Sequence, residues 1–225
     1  MNLVFDADDT LWENNIYFER AFDDFCAFLD HSKLTPAQVR DVLNEIELVN
    51  AKIHGYGSKN FGRNLQQAYQ HLAEREIRSL DLDHVMSLAE RILEQPLEVM
   101  DGVPETLAEL AQRHELTLFT KGHPEEQRMK VDRSGLGGYF AHTAIVKEKD
   151  TPAYQRLVEE RGFDPQETWM IGNSPKSDIN PALEAGLNAV LVPHPHTWVL
   201  EHQDLREGGE RLKIVTAFSQ LRDHF

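Results

Sequence analysis

Cysteine and long apolar runs are both scarce in this 225-residue sequence, and each scarcity excludes a class of protein. The single cysteine, Cys26, cannot form an internal disulfide. The segment Met1–Asp6 carries neither a basic residue nor a long apolar stretch, so we expect a cytoplasmic protein rather than a secreted one. The longest wholly apolar runs, such as Ala189–Val192, are far shorter than the roughly 20 residues that cross a bilayer, and no membrane span is expected.

Basic residues are also scarce relative to acidic ones. The sequence has 23 lysine and arginine residues against 38 aspartate and glutamate residues, a formal net charge of −15. A surface of that charge repels nucleic acid and anionic membranes, so we expect neither as a partner. Any phosphate group that the protein handles must therefore be held by local basic groups or by a metal ion.

Hydrophobic periodicity divides the sequence into two kinds of segment. Leu3–Phe5 is a short apolar run typical of a buried strand, and it ends in the polar cluster Asp6–Thr10. Residues 15–95 show helical periodicity alone, whereas beyond Pro96 short apolar runs alternate with helical segments. The helical periodicity is clearest at Phe18, Phe22, Phe25 and Leu29 and at Val39, Leu43, Ile46, Val49 and Ile53. The later predicted strands cover residues 115–120, 139–146, 168–171, 187–192 and 212–215.

Strands that alternate with helices predict an α/β fold with a Rossmann-like parallel sheet. We assign residues 1–14 and 96–225 to this α/β core and residues 15–95 to an inserted all-helical domain. Open parallel sheets bind ligands at the carboxyl ends of their strands. An insertion directly after the first strand is therefore expected to cover that edge as a cap.

Side chains suited to phosphate chemistry follow several predicted strands. Asp6 and Asp8 are two residues apart after the first strand, so one can act as a nucleophile and the other as an acid. Thr120, Lys149 and Asp178 follow three later strands. Each of these residues alone is typical of a turn, a helix cap or a solvated face. Together they predict a metal-assisted phosphoryl site.

Four motifs carry a resemblance to a known family. The segment Phe5–Trp12, with the sequence FDADDTLW, resembles the first motif of the haloacid dehalogenase-like (HAD) hydrolase superfamily, especially its phosphatases with a helical cap. Leu118–Thr120, Lys149–Pro152 and Gly172–Asp178 resemble the second, third and fourth motifs. The motifs occur in the family's order and span nearly the whole chain.

The resemblance implies a role for each matching residue. Asp6 would be the nucleophile and a metal ligand, and Asp178 a further metal ligand. Asp8 would be the general acid and base, with its backbone carbonyl on Mg²⁺. Thr120 and Lys149 would hold the transferring phosphoryl oxygens. The expected function is Mg²⁺-dependent hydrolysis of a small phosphorylated metabolite through an aspartyl phosphate.

Some positions depart from the family pattern or extend it. Asn173 stands where the fourth motif often has an acid, so its contribution to the metal is expected to be weaker, through a water for example, and a similar outer role is expected for Lys121. Lys147 is a competing third-motif lysine, although Lys149 lies closer to the following Thr-Pro pair. Family dehalogenases lack an acid at the position of Asp8, which disfavours dehalogenation.

Weaker signals concern the substrate. Similar capped phosphatases place a substrate-reading loop near the glycine-rich segment His54–Gly62, which makes Tyr56 and Lys59 candidates for specificity, although a plain interhelical turn explains the segment equally well. Substrate contact by His123, or a second metal at His194 and His196, is disfavoured but left open.

Three other functions occur on parallel α/β folds. A phosphomutase shares the nucleophile, cap and metal, and stays open. A receiver-like signalling module uses similar residues, but it takes its phosphorylated aspartate from a later strand and has no helical insertion after the first. Dinucleotide binding is excluded because no glycine-rich turn follows Leu3–Phe5.

Overall fold

The computed structural model of the chain describes every residue from Met1 to Phe225 and confirms the predicted α/β fold. The chain forms two compact units. We call residues 1–15 and 97–225 the core unit and residues 16–96 the helical unit. None of the helices combines the length and the apolar character that spanning a bilayer requires.

A sheet of six parallel strands forms the centre of the core unit. The strands are β1 Asn2–Phe5, β2 Glu115–Lys121, β3 His142–Val146, β4 Thr168–Gly172, β5 Asn188–Leu191 and β6 Leu212–Ile214. Their order in the sheet is β3-β2-β1-β4-β5-β6, so β1 pairs with β2 on one side and β4 on the other. The chain direction across the sheet changes between β1 and β4, which is where such sheets bind ligands.

Helices cover both faces of this sheet. Leu3 and Phe5 pack in one cluster with Leu107, whereas Val4 packs in another with Leu157. This alternation follows from the two-residue period of a strand, which sends successive side chains to opposite faces. The core-unit helices are α5 Val103–Leu110, α6 Pro124–Ser134, α7 Thr151–Arg161 and α8 Asn180–Glu184.

One boundary in the core unit differs from the predictions. The third strand begins at His142 rather than at Tyr139, because Gly137–Tyr139 forms a 3-10 turn. After this strand, Asp150 is the N-cap of α7, and its carboxylate accepts the backbone N–H of Ala153 at 2.9 Å. Aspartate is a favoured N-cap residue because its side chain satisfies a free N–H of the first helical turn.

The helical unit contains four helices around its own apolar core. They are α1 Asn15–Leu29, α2 Pro36–His54, α3 Ser58–Leu72 and α4 Ser79–Glu90. Phe25, Leu43 and Leu65 are completely buried in that core. Val49 and Ile53 share the helical periodicity of this segment but are 59% and 68% exposed. Val49 lies about 120° around the helix from Leu43, and Ile53 falls in the last turn.

Candidate active site

Asp6 and Asp178 converge on the ammonium group of Lys149. Asp6 directly follows β1, and its backbone N–H donates to the carbonyl of Ile171 in β4 at 2.9 Å. Lys149 Nζ lies 2.5 Å from Asp6 Oδ1 and also donates to Asp178 Oδ1. All three side chains are buried. The structure thus brings together three of the predicted site residues from three separate segments.

The charges of this cluster do not balance. Burial raises the pKa of Asp6 to about 7, with a further upward contribution from Asp178, and Lys149 only partly offsets the two. Burial alone would lower the pKa of Lys149, but Asp178 and Asp6 together raise it above its usual value. Two buried carboxylates therefore share one permanent cation. Hard carboxylate oxygens with an excess of negative charge are the donors that suit Mg²⁺, so the residues fit the predicted metal.

Gly172, the last residue of β4, makes room for Asp178. A Cβ atom at Gly172 would lie 2.3 Å from Asp178 Oδ2 and 2.5 Å from its Cγ. Asp178 Oδ2 also accepts the backbone N–H of Ser174 at 2.9 Å. The close approach of backbone and carboxylate therefore requires glycine at this position.

Asp8 lies in a different electrostatic environment. Lys130 Nζ is 2.9 Å from each of its carboxylate oxygens, Gln127 Nε2 is 2.8 Å from Oδ2, and Trp12 Nε1 is 2.8 Å from Oδ1. Burial by itself raises the pKa of Asp8, but Lys130 and the hydrogen bonds outweigh it and hold the pKa below its ordinary value. Asp8 is therefore ionised at neutral pH in this arrangement.

Asn173 is linked to Asp6 through Thr10. The Thr10 hydroxyl lies 3.1 Å from Asp6 Oδ2 and 3.2 Å from Asn173 Oδ1, so its one proton can serve either oxygen. Asn173 Nδ2 donates to the hydroxyl of Thr197 at 2.8 Å. Asn173 is thus held at the edge of the carboxylate cluster by two side-chain contacts.

Lys121 takes part in a buried polar network beside the fourth motif. Its Nζ donates to Glu201 Oε1 at 2.6 Å and to Ser177 Oγ at 2.9 Å, and Ser174 Oγ donates to Glu201 Oε2 at 2.6 Å. Burial raises the pKa of Glu201, but Lys121 and the two serines bring it below its usual value. Thr120 is also buried, and its hydroxyl makes a 3.5 Å contact with the carbonyl of Lys121.

The competing third-motif lysine and the outlying histidine occupy exposed positions. Lys147 is exposed, so geometry favours Lys149 as the lysine of the cluster. His123 is exposed at the start of α6.

Tyr56 and Lys59 belong to the helical unit, where Lys59 is exposed in the first turn of α3.

His194 belongs to a second group of potential metal-binding side chains. Its Nε2 lies 3.3 Å from Glu13 Oε1 and its Nδ1 lies 3.9 Å from Asp9 Oδ1. The ligand atoms of these three residues lie within 4.8 Å of one another. However, His194 Nδ1 accepts the backbone N–H of His196. Asp9 Oδ1 accepts the backbone N–H groups of Asn14 and Asn15, where α1 begins. Protein hydrogen bonds therefore already use much of this group, which is distinct from the predicted set of Asp6, Asp8 and Asp178.

Several residues around these carboxylates were not among the predicted site residues. Gln127 and Lys130 are three residues apart on α6, so helical spacing alone would have placed them on one face directly after the second motif. Glu201 offered no such signal, because it reaches Lys121 across 80 residues of sequence. Such contacts depend on the tertiary fold.

A model of the haloacid dehalogenase-like hydrolase family matches residues 1–186. The chain is 27% identical over 133 residues to the phosphoserine phosphatase of Thermus thermophilus, a match that covers 46% of this chain and 53% of that protein. The match thus spans about half of that relative's length.

Solved structures are similar to the chain over a greater length. A haloacid dehalogenase-like family hydrolase from Xanthomonas campestris has a TM-score of 0.86 and 28% identity, over 100% of this chain and 93% of that one. The L-2-haloacid dehalogenase of Xanthobacter autotrophicus has a TM-score of 0.64 over 99% of this chain and 96% of that one, but its 17% identity shows a shared fold alone.

Proposed function

Because the chain belongs to the haloacid dehalogenase-like hydrolase family, we propose that it hydrolyses a small phosphate monoester through an aspartyl-phosphate intermediate, with Mg²⁺ as cofactor. The observation that carries this proposal is the Asp8 carboxylate, which lies two residues after Asp6 and is held by four hydrogen bonds. Such a group can move a proton in each half of a phosphoryl-transfer cycle. Attack on a carbon–halogen bond needs no proton for its leaving halide.

In the first step, an Asp6 oxygen attacks phosphorus and the bond from phosphorus to the ester oxygen breaks. The departing oxygen takes a proton from Asp8. Because Asp8 is ionised in the free protein, it must take up this proton from solvent as the substrate binds. In the second step, water attacks the aspartyl phosphate and gives its proton to ionised Asp8, and the electron pair of the broken phosphorus–oxygen bond returns to Asp6. A covalent route divides one difficult reaction into two easier ones.

Asp6, Asp178 and the backbone carbonyl of Asp8 would hold Mg²⁺, which would supply positive charge against the phosphoryl oxygens. Lys149 adds a charge of the same sign at Asp6, where its ammonium already lies 2.5 Å from the carboxylate. Thr120, the last residue but one of β2, supplies a hydroxyl donor. The substrate is a small phosphorylated metabolite; the relative named phosphoserine phosphatase makes amino-acid phosphates one class to test.

Phosphate release by the purified protein tests this proposal. The panel comprises sugar phosphates, nucleotides, phosphoglycolate, amino-acid phosphates and an aryl phosphate, each with Mg²⁺ and with EDTA. We expect release from at least one ester, loss of that release in EDTA and recovery when Mg²⁺ is restored. The variant Asp6→Asn is the matched control for contaminating phosphatases.

Three results would contradict parts of the proposal. Full turnover after metal removal would exclude the two-carboxylate metal site. An isomeric phosphate ester among the products, detected by phosphorus NMR, would indicate the phosphomutase alternative. Halide release from a 2-haloacid without any phosphate release would indicate dehalogenation.

A further inference from the structure

The lysine that contacts Asp8 has used all of its donors. Lys130 Nζ lies 2.9 Å from Asp8 Oδ1, 2.9 Å from Asp8 Oδ2 and 2.7 Å from Asn14 Oδ1. An ammonium group carries three N–H donors, and each has a partner. The side chains of Lys130 and Asp8 are only 12% and 20% exposed. Exposed ion pairs contribute little to stability. This ion pair is largely buried, and an ammonium that bonds both oxygens of a carboxylate has a fixed geometry.

The helix α6 contributes a second donor to the same carboxylate. Gln127 lies one turn before Lys130, and its Nε2 donates to Asp8 Oδ2 at 2.8 Å and to the carbonyl of Lys121 at 3.0 Å. Gln127 is buried. Residues three apart on a helix share a face, so α6 presents both donors to one side chain. With the indole of Trp12, each Asp8 oxygen has two donors.

This arrangement fixes the direction in which the carboxylate points. A carboxylate on a short side chain can rotate about two bonds, and a lone acid in a loop would sample several orientations. Four donors from α6 and from the loop itself leave one orientation satisfied. A general acid or base must lie within hydrogen-bond reach of the proton it moves, so orientation bears directly on rate.

We propose that Lys130, together with Gln127, is a positioning residue that holds the Asp8 carboxylate in the orientation required for proton transfer. The inference rests on the proposed function, because it assigns Lys130 a role in the same reaction. Lys130 acts through Asp8. In the second half-reaction, the attacking water takes the place of one of these four donors and gives its proton to that Asp8 oxygen while the bond between phosphorus and Asp6 breaks. Lys130 keeps the carboxylate aligned.

Steady-state and single-turnover kinetics of four variants test the proposal. Lys130→Met removes the ammonium, Lys130→Arg keeps a charged donor, Gln127→Ala removes the second donor, and Arg128→Met is the matched control on the exposed face of α6. We expect Lys130→Met to lower kcat by roughly 10–100-fold with little change in KM, and to accumulate phosphoenzyme. Lys130→Arg should recover part of the loss, and Arg128→Met should match the wild type.

A double-mutant cycle separates positioning from general damage to the fold. If Lys130 acts through Asp8, then Lys130→Met should lower kcat no further in an Asp8→Asn background. Thermal unfolding of each variant reports whether it is folded. Should Lys130→Met fail to fold, Gln127→Ala in the same cycle decides the question.

The outcomes distinguish this inference from the proposed function. A kcat for Lys130→Met equal to or above that of the wild type would overturn the positioning role alone. An equal loss in the wild-type and Asp8→Asn backgrounds would overturn it as well, because the effect would not pass through Asp8. Failure of the wild-type protein to hydrolyse any ester of the panel would overturn both proposals together.

Discussion

At the scale of single residues, Asp6 and Asp8 show how neighbours in one loop acquire opposite properties. Burial and the proximity of Asp178 raise the pKa of Asp6 to about 7. Lys130 and the hydrogen bonds from Gln127 and Trp12 overcome burial and lower the pKa of Asp8. A nearby cation would therefore stabilise the ionised form of Asp6 most, whereas the ionised form of Asp8 is already stabilised by Lys130.

Asparagine substitutions should separate the two carboxylates. Asp6→Asn should abolish turnover and leave no trapped phosphoenzyme, because the nucleophile is gone. Asp8→Asn keeps the backbone carbonyl and should lower the rate by about 10²–10⁴-fold through the lost proton transfer. An aryl phosphate, whose leaving group departs without a proton, should retain its first step and accumulate phosphoenzyme. Equal losses for aryl and alkyl esters without an intermediate would remove Asp8 from the acid and base role.

Gly172 offers a test of the metal site that leaves all carboxylates in place. The Cβ of alanine at this position would lie 2.3 Å from Asp178 Oδ2, so the Asp178 side chain must move. We expect Gly172→Ala to raise the Mg²⁺ concentration for half-maximal activity by about 10–100-fold. Gly138→Ala is the matched control, because a Cβ there meets no atom within 4 Å. An unchanged Mg²⁺ requirement would argue against Asp178 as a ligand.

Motif spacing predicted the residues that lie at strand ends. Asp6, Lys149 and Asp178 meet because the carboxyl ends of parallel strands share one edge, a consequence of topology that short motifs encode. The partners of Asp8 and Lys121 were not predicted. Lys130 reaches Asp8 across 122 positions and Glu201 reaches Lys121 across 80, and no local pattern marks such pairs.

At the scale of secondary-structure elements, α2 carries a buried acid on a face that sequence periodicity assigned to apolar residues. Glu47 is only 6% exposed and its Oε2 atom is buried without a hydrogen-bond partner in the protein. Val49, which shares the apolar periodicity of α2, is largely exposed. The apolar spacing from Val39 to Ile53 thus predicted the helix correctly. It matches the buried face of the helix only in part, because that face ends before the last turns.

The stability of the protein should therefore depend on pH through Glu47. Burial raises its pKa from 4.5 to about 7 in the folded state, so the folded state favours the protonated form. Glu47 therefore does not reduce the free energy of unfolding below pH 4.5, where it is protonated in both states. As the pH rises through 7, its ionisation lowers the free energy of unfolding, by roughly 3 kcal/mol at pH 8. Glu47→Gln should remove that cost, so its gain in melting temperature over the wild type should grow between pH 5 and pH 8.

The control for this prediction lies on the same helix. Glu45 is exposed, and Glu45→Gln should change the melting temperature equally little at both pH values. A gain for Glu47→Gln that is the same at pH 5 and pH 8 would mean that Glu47 stays ionised in the folded protein.

At the scale of the whole molecule, the net charge of −15 is not reversed at the site. Four carboxylates, those of Asp6, Asp8, Asp178 and Glu201, face only three lysines, Lys121, Lys130 and Lys149. Each lysine already pairs with a carboxylate, so the protein alone offers an anionic phosphate little net attraction. A divalent cation resolves this imbalance, which is the charge argument for Mg²⁺ in the proposed reaction.

We expect residues of the helical unit, rather than the carboxylates of the core unit, to select the substrate. Tyr56 lies in the break between α2 and α3, between Gly55 and Gly57, which have φ values of 74° and 117°, and Lys59 lies in the first turn of α3. Asn60 braces this turn, since its Nδ2 donates to the carbonyls of His54 at 2.6 Å and Gly55 at 3.3 Å. A braced turn can present side chains with a fixed geometry.

Replacement of Tyr56 and Lys59 by alanine should therefore reorder the kcat/KM values across the phosphate-ester panel and change hydrolysis of a small aryl phosphate much less. The aryl ester reports on the chemistry of the core unit, and the ranking of the other esters reports on recognition. Lys52→Ala, at an exposed lysine near the end of α2, is the matched control and should preserve the ranking. If the double variant also preserves it, the segment is a plain interhelical turn. A parallel fall for every ester, the aryl phosphate included, would mean instead that these residues support catalysis in general.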